Sequence, residues 1–202
     1  MKYRVTEQPA SEPVSLEDAR THLRVTAFGS PLAHPDDDYI SALIPAARAF
    51  CEEYLRRGLA TQTIQFGVDN FHGDIAIPLQ PVQSIGSITY IDTAGVQQTL
   101  ATSVYEIDEY EGVIRLKYGQ SWPVTRGQNN AVTVSAVVGY TNGESPDSHP
   151  LPAAIKAAML LIIGNLYEHR TQDVVNGSQL NFNSLPLGVY SLLQPYRLGM
   201  GV

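Results

Sequence analysis

The densest run of potential metal ligands in the chain is His34-Pro35-Asp36-Asp37-Asp38. Hard cations take clustered carboxylate oxygens, so a divalent site is the first chemistry to weigh. No calcium-loop spacing follows the run. Three acids at the start of a helix also sit where the helix dipole favours negative charge, so helix capping is the preferred reading. A second group, Tyr167-Glu168-His169-Arg170, sets a carboxylate beside an imidazole, the makings of an acid–base pair. Neighbours on a helix point about 100° apart, which favours a polar cluster at a helix end instead.

Other reactive residue types form no set. Cys51 falls on an apolar stripe and reads as a small buried hydrophobe. Ser84, Ser87 and Ser135 lie in strand-like runs without a G-x-S-x-G elbow. There is no phosphate loop and no dinucleotide fingerprint. The five histidines, His22, His34, His72, His149 and His169, lack metal-ligand spacing. Trp122, ahead of Pro123 in a loop, reads as a packing residue, with a partner contact as the alternative. No catalytic residue, metal site or cofactor is expected, and the chain is not read as an enzyme.

The elements that must position these residues follow from periodicity. Ser15 is an N-cap for a short helix in "SLEDARTHLRV", with Glu17 and Asp18 in its first turn. A longer helix starts near Asp36, with Ile40, Leu43, Ile44, Ala47, Phe50, Cys51, Tyr54 and Leu55 on one face. Gly58 is its expected C-cap, and Pro45 is expected to kink it. From Thr61 the period becomes two. Strands are expected at 62–68, 74–78, 84–92, 97–108 (with a break allowed), 113–118 and 131–140, separated by turn chemistry such as "DTAG" and "EYEG". A third helix spans 151–170. Residues 171–184 are polar and aperiodic and are expected to form a flexible exposed loop. A last short helix places Leu185, Val189, Leu192 and Leu193 on one face. Residues 1–14 read as an extended arm.

The expected fold class is α+β: a helical bundle of about four helices carrying an inserted antiparallel β sandwich or barrel-like unit. The expected boundaries are 1–60 for the arm and first core helices, 61–149 for the β unit, and 150–202 for the helices that complete the core. Charge divides the same way. Of the formal net charge of −7 over 202 residues, residues 61–149 carry −6, from nine acids and three bases.

Composition limits the function classes. A hydrophobic fraction of 44% allows a real core. A single cysteine excludes an internal disulfide framework. The first residues, "MKYRVTEQPASEPVS", show no apolar signal segment. The longest apolar stretch, 157–163, is far short of the roughly 20 residues of a membrane span, so no membrane partner is expected. Net acidity argues against a general nucleic-acid binder, without excluding a surface that DNA slides past. The helix at 153–167 is apolar on nearly every side, so protein must cover it, either from the same chain or from a second copy.

The order of segments resembles the tailed-bacteriophage head–tail connector (adaptor) family. It is carried by "SLEDARTHLRV", "DDDYISALIPAARAFCEEYLRRGL", "PLQPVQSIGSITYID", "YGQSWP", "AVTVSAVVGY", "AAMLLIIGNLYEHR" and "LLQPYR", from about Ser15 to Arg197. The β unit matches a longer branch of that family. The resemblance implies a structural virion protein, a ring protomer, commonly one of twelve copies, docked beneath a portal protein. Such a ring extends the DNA channel and offers a platform to a downstream tail or stopper protein, with no sequence-specific DNA binding. It implies a place in the neck of the virion, reached by assembly in the host cytoplasm; phage, prophage or gene-transfer particle are all open as sources. Under that reading Met159, Ile162, Ile163, Leu166 and Tyr167 are expected at a subunit interface. Leu185, Val189, Leu192, Leu193, Tyr196 and Arg197 are expected to dock on the portal or a neighbour. Two other classes compete: a β-domain binding module for a host carbohydrate or tail fibre, and a metal-assisted hydrolase built on His34 and Asp36–Asp38.

Overall fold

A computed structural model describes residues 2–25, 33–109, 111–141, 149–169 and 187–199. The expected loop at 171–184, together with Arg170 and Leu185, lies outside the described residues. The fold is α+β, with eight strands and four α-helices among the described residues. The chain divides into two compact units. One comprises Met1–Ser11, Arg56–Thr141 and Asp147–His149; the other comprises Glu12–Leu55, Asn142–Pro146 and Pro150–Val202.

The β unit holds two antiparallel sheets. The larger runs β1 (Tyr3–Glu7), β2 (Gln62–Val68), β8 (Val132–Val138), β4 (Val82–Ile91) and β5 (Gln97–Thr99). The smaller runs β3 (Ile75–Ala76), β7 (Val113–Leu116) and β6 (Tyr105–Asp108). Alternation sets which side chains go inside, because successive side chains in a strand face opposite ways. In β8, Val132, Val134, Ala136 and Val138 are buried while Thr133, Ser135 and Val137 are half-buried. Opposite them, β2 buries Ile64 and Phe66. Ile88, Ile114, Leu79 and Tyr105 join the same core. The expected strand at 97–108 breaks into β5 and β6, which belong to different sheets. No closure into a barrel is present among the described residues.

The N-terminal arm differs from its expected place with the helices. Tyr3, Arg4 and Val5 pair with Phe66, Gln65 and Ile64, and Arg4 donates to Gln65 Oε1 at 2.7 Å. Residues 2–11 of the arm therefore group with the β unit and residues 12–14 with the helical unit.

In the helical unit, α1 (Leu16–Leu23) opens on a capping box. Ser15 accepts from the Asp18 N–H at 3.0 Å, and the Asp18 carboxylate accepts from the Ser15 N–H at 3.1 Å. Helix α2 (Asp37–Leu55) buries Ile40, Leu43, Ile44, Ala47, Cys51 and Leu55, the expected stripe. Pro45 sits inside this helix on its exposed side, where water can reach the carbonyl that loses its partner. The left-handed residue that ends α2 is Arg56, at φ 57, rather than Gly58. Helix α3 (Ala153–Glu168) packs against α1, α2 and α4 (Leu187–Leu193). Three helices of its own chain thus cover the segment that is apolar on nearly every side. Ile155, Ala158, Met159, Ile162 and Ile163 are buried there, each large side chain contributing about 2 kcal/mol.

Candidate functional site

The acidic run at the start of α2 is knitted into the helical unit. Arg20 of α1 lays its guanidinium on Asp37, with Nε donating to Oδ1 at 2.7 Å and Nη2 to Oδ2. The His34 N–H donates to Asp37 Oδ2 at 2.7 Å, and His34 Nδ1 accepts from the Asp36 N–H at 3.1 Å. Tyr167 of α3 donates its hydroxyl to Asp36 Oδ2. Tyr39 donates to the Leu166 carbonyl at 3.2 Å, and its ring lies 6.1 Å from that of Tyr167. These carboxylates tie α1, α2 and α3 together. Among the described residues no group of three His, Cys, Asp or Glu side chains could hold a metal ion.

This arrangement has a pH signature. Arg20, helped by the His34 N–H, holds the Asp37 carboxyl below its usual range. Ser15 and then Lys156, whose ammonium is 2.9 Å away, do the same for Asp18. A depressed carboxyl binds its proton less readily when folded than when unfolded. Its contribution is therefore complete above about pH 4 and is lost as pH falls through the lowered value. Asp37→Asn is expected to lower stability at neutral pH and to flatten the acid side of a plot of urea midpoint against pH. An unchanged profile would show that the pair adds nothing.

The other candidate residues have structural partners. The His169 N–H and ring Nδ1 both lie against the Asn165 carbonyl, 3.1 and 3.0 Å away, closing α3. Cys51 is fully buried, and burial pushes its thiol up to about 12, the opposite of an activated nucleophile. Trp122 stacks on Phe71, with centroids 4.8 Å apart and planes 6° from parallel, and its Nε1–H donates to the Gly73 carbonyl at 3.1 Å. A shallow open depression in the β unit is lined by Glu106, Ile107, Asp108, Glu109 and Arg115. There Arg115 bridges Asp74, Asp108 and Glu111 at 2.5–2.8 Å.

The expected contact residues divide by burial. Met159, Ile162 and Ile163 are enclosed within the chain. These three, expected at a subunit interface, face the core of their own chain here. Leu166 and Tyr167 are half-buried. In the C-terminal set expected to dock, Val189 and Leu193 are also fully buried within the chain. Leu192 and Tyr196 are half-buried and Arg197 is exposed. This segment folds back on the end of α2. Tyr54 donates to Gln194 Oε1 at 2.7 Å and meets Tyr190 edge-on at 5.4 Å. The Arg197 guanidinium lies 4.9 Å from the Tyr54 ring centre, and the Leu198 N–H donates to the Leu55 carbonyl at 3.1 Å.

Sequence reasoning missed where the bare hydrophobic surface would be. Among the described residues the exposed large hydrophobics are Tyr3, Val96, Tyr118 and Val124, all in the β unit. The one sequence signal was the apolar content of the turn-rich loop "KYGQSWPVTR".

Comparison with known proteins bears on this geometry. Residues 13–111 match the family model described as "Phage gp6-like head-tail connector protein", so the resemblance to head–tail connectors stands over that stretch. No curated protein matches the chain. Solved structures share its fold along its whole length. A chain from "Neck of empty GTA particle computed with C6 symmetry" has a TM-score of 0.76 at 19% identity, covering 100% of this chain and 98% of that one. A chain from "Virion of native gene transfer agent (GTA) particle" has a TM-score of 0.74 at 18% identity, with the same coverage. A chain from "Neck of native GTA particle computed with C12 symmetry" has 0.68 at 19%, again with that coverage.

Proposed function

We propose, from its likeness to head–tail connectors, that this chain is a structural protein of a virion neck and acts as an adaptor between capsid and tail. The carrying observation is that a connector family model and whole-length fold matches to neck chains meet in one sequence. In this reading copies form a ring beneath a portal protein. The ring extends the channel through which DNA passes, and it presents a platform to a tail or stopper protein. The role is one of assembly, without catalysis, in a particle built in the host cytoplasm. Net acidity supports passage of DNA without adhesion. The β unit is read as an insertion at 61–149 between the helical segments 1–60 and 150–202, with the first strand contributed by the arm.

Portal or neighbour docking falls to the outward part of the C-terminal segment: Leu192, Tyr196 and Arg197. Imaging of the protein mixed with its portal is the test. A ring of this chain on the tail-facing side of the portal is expected. Placement anywhere in the native particle other than the collar between capsid and tail would discard the reading.

A further inference from the structure

We infer that the two edges of the five-stranded sheet join head to tail between copies, the apolar rim beside β5 of one copy seating against β1 of the next. The inference rests on the ring reading above and names the surfaces that would build it.

The strand order β1-β2-β8-β4-β5 leaves β1 and β5 as the two ends of an open sheet. The exposed large hydrophobics gather at these ends. Tyr3, 43% exposed, is on β1. Val96, Tyr118 and Val124, at 55%, 105% and 75%, lie on loops that border β5. Val96 is in the turn between β4 and β5. Val124 precedes Thr125, which bridges Asp92 in that same turn. The Arg126 N–H donates to the Ile91 carbonyl at 2.9 Å, and Arg126 Nη1 is 2.7 Å from where a Cβ on Gly95 would stand. Tyr118 follows Lys117, whose N–H and ammonium reach the Val104 and Thr102 carbonyls, both at 3.0 Å, in the segment leaving β5.

The rim is held in place before any partner arrives. The Trp122–Phe71 stack pins the loop. The Asp92 carboxylate accepts from the N–H groups of Ala94 and Val96 and from Gln98 Nε2, each at 2.9 Å. A prearranged surface loses little conformational freedom on docking.

A second copy is the occupant because two unlike sticky edges lie at opposite ends of one sheet. A head-to-tail contact covers both in every copy, while one unrelated partner would cover a single edge. Each neighbouring strand pair in the sheet is antiparallel, so β1 and β5 run in the same direction. Rotation about an axis along the strands preserves that direction, as cyclic repetition requires.

The test uses full-length chains at high micromolar concentration, analysed by native mass spectrometry. Trp122 fluorescence and circular dichroism report folding. One variant, Tyr3→Asp, blocks the β1 edge, with Arg4→Glu as a second; another, Tyr118→Asp with Val124→Asp, blocks the rim. Wild type is expected to form higher oligomers and each folded variant to remain monomeric. A mixture of an edge variant with the rim variant should form a heterodimer and stop, since one good edge remains on each chain. Variants that assemble like wild type, a mixture that stays monomeric, or a wild type monomeric throughout would overturn the inference. So would a rim variant that assembles normally but loses attachment to a different neck protein. A neck image showing a ring with these edges apart would sink the edge contact alone; absence from the neck would sink the functional reading.

Discussion

Gly139→Ala is expected to destabilise the β unit by about 3 kcal/mol or more. Gly139 follows β8 at φ +108, a backbone conformation open to glycine and few others. A Cβ added there would stand 2.0 Å from the Ala60 carbonyl oxygen and 2.6 Å from its carbon. Both are backbone atoms and cannot swing aside as a side chain would. The glycine cannot retreat either. Its N–H donates to the Pro81 carbonyl at 2.8 Å, and its own carbonyl accepts from Gln83 Nε2 at 2.8 Å. Gly119→Ala is the control: φ is +76 but nothing lies within 4 Å, so only the conformational cost of about 1 kcal/mol applies. Urea unfolding followed by Trp122 fluorescence measures both. A Gly139 variant no worse than the Gly119 variant would refute the close approach.

Met159→Ala is expected to cost the isolated chain about 3 kcal/mol, within the range for deleting a buried large side chain. Met159 is fully enclosed on α3. A residue held for a subunit interface would behave differently: its truncation would spare the dilute monomer and weaken assembly. Urea unfolding at low protein concentration, followed by far-ultraviolet circular dichroism, separates the two. Leu192→Ala, at a half-buried position, is the comparison and should cost less than about 1 kcal/mol. Equal effects at the two positions would contradict the burial described for α3.

The contrast between these residues shows what a sequence can convey. Helix α2 was legible because its buried positions, from Ile40 to Leu55, recur at helical spacing. Strands β2 and β8 were legible because apolar residues alternate along them. Strand β1 was not. Its residues are exposed or half-buried, so no apolar face announces it, and its strand character comes from hydrogen bonds to residues about sixty positions away. The acidic run at Asp36–Asp38 was read as a helix start, and Asp37 and Asp38 do open α2. That Asp36 and Asp37 would meet Tyr167 and Arg20 was beyond any local pattern.

By itself, then, the sequence determined the α+β class, the helical and alternating segments and the likeness to head–tail connectors, because periodicity and segment order are properties of neighbours along the chain. Only the tertiary structure decided which apolar residues stay bare. Helix α3 is apolar on nearly every side and is covered by α1, α2 and α4, whereas Tyr118 and Val124 stand exposed on a loop held by Trp122 and Phe71. Hydrophobicity belongs to a residue, but burial depends on what distant parts of the chain bring against it.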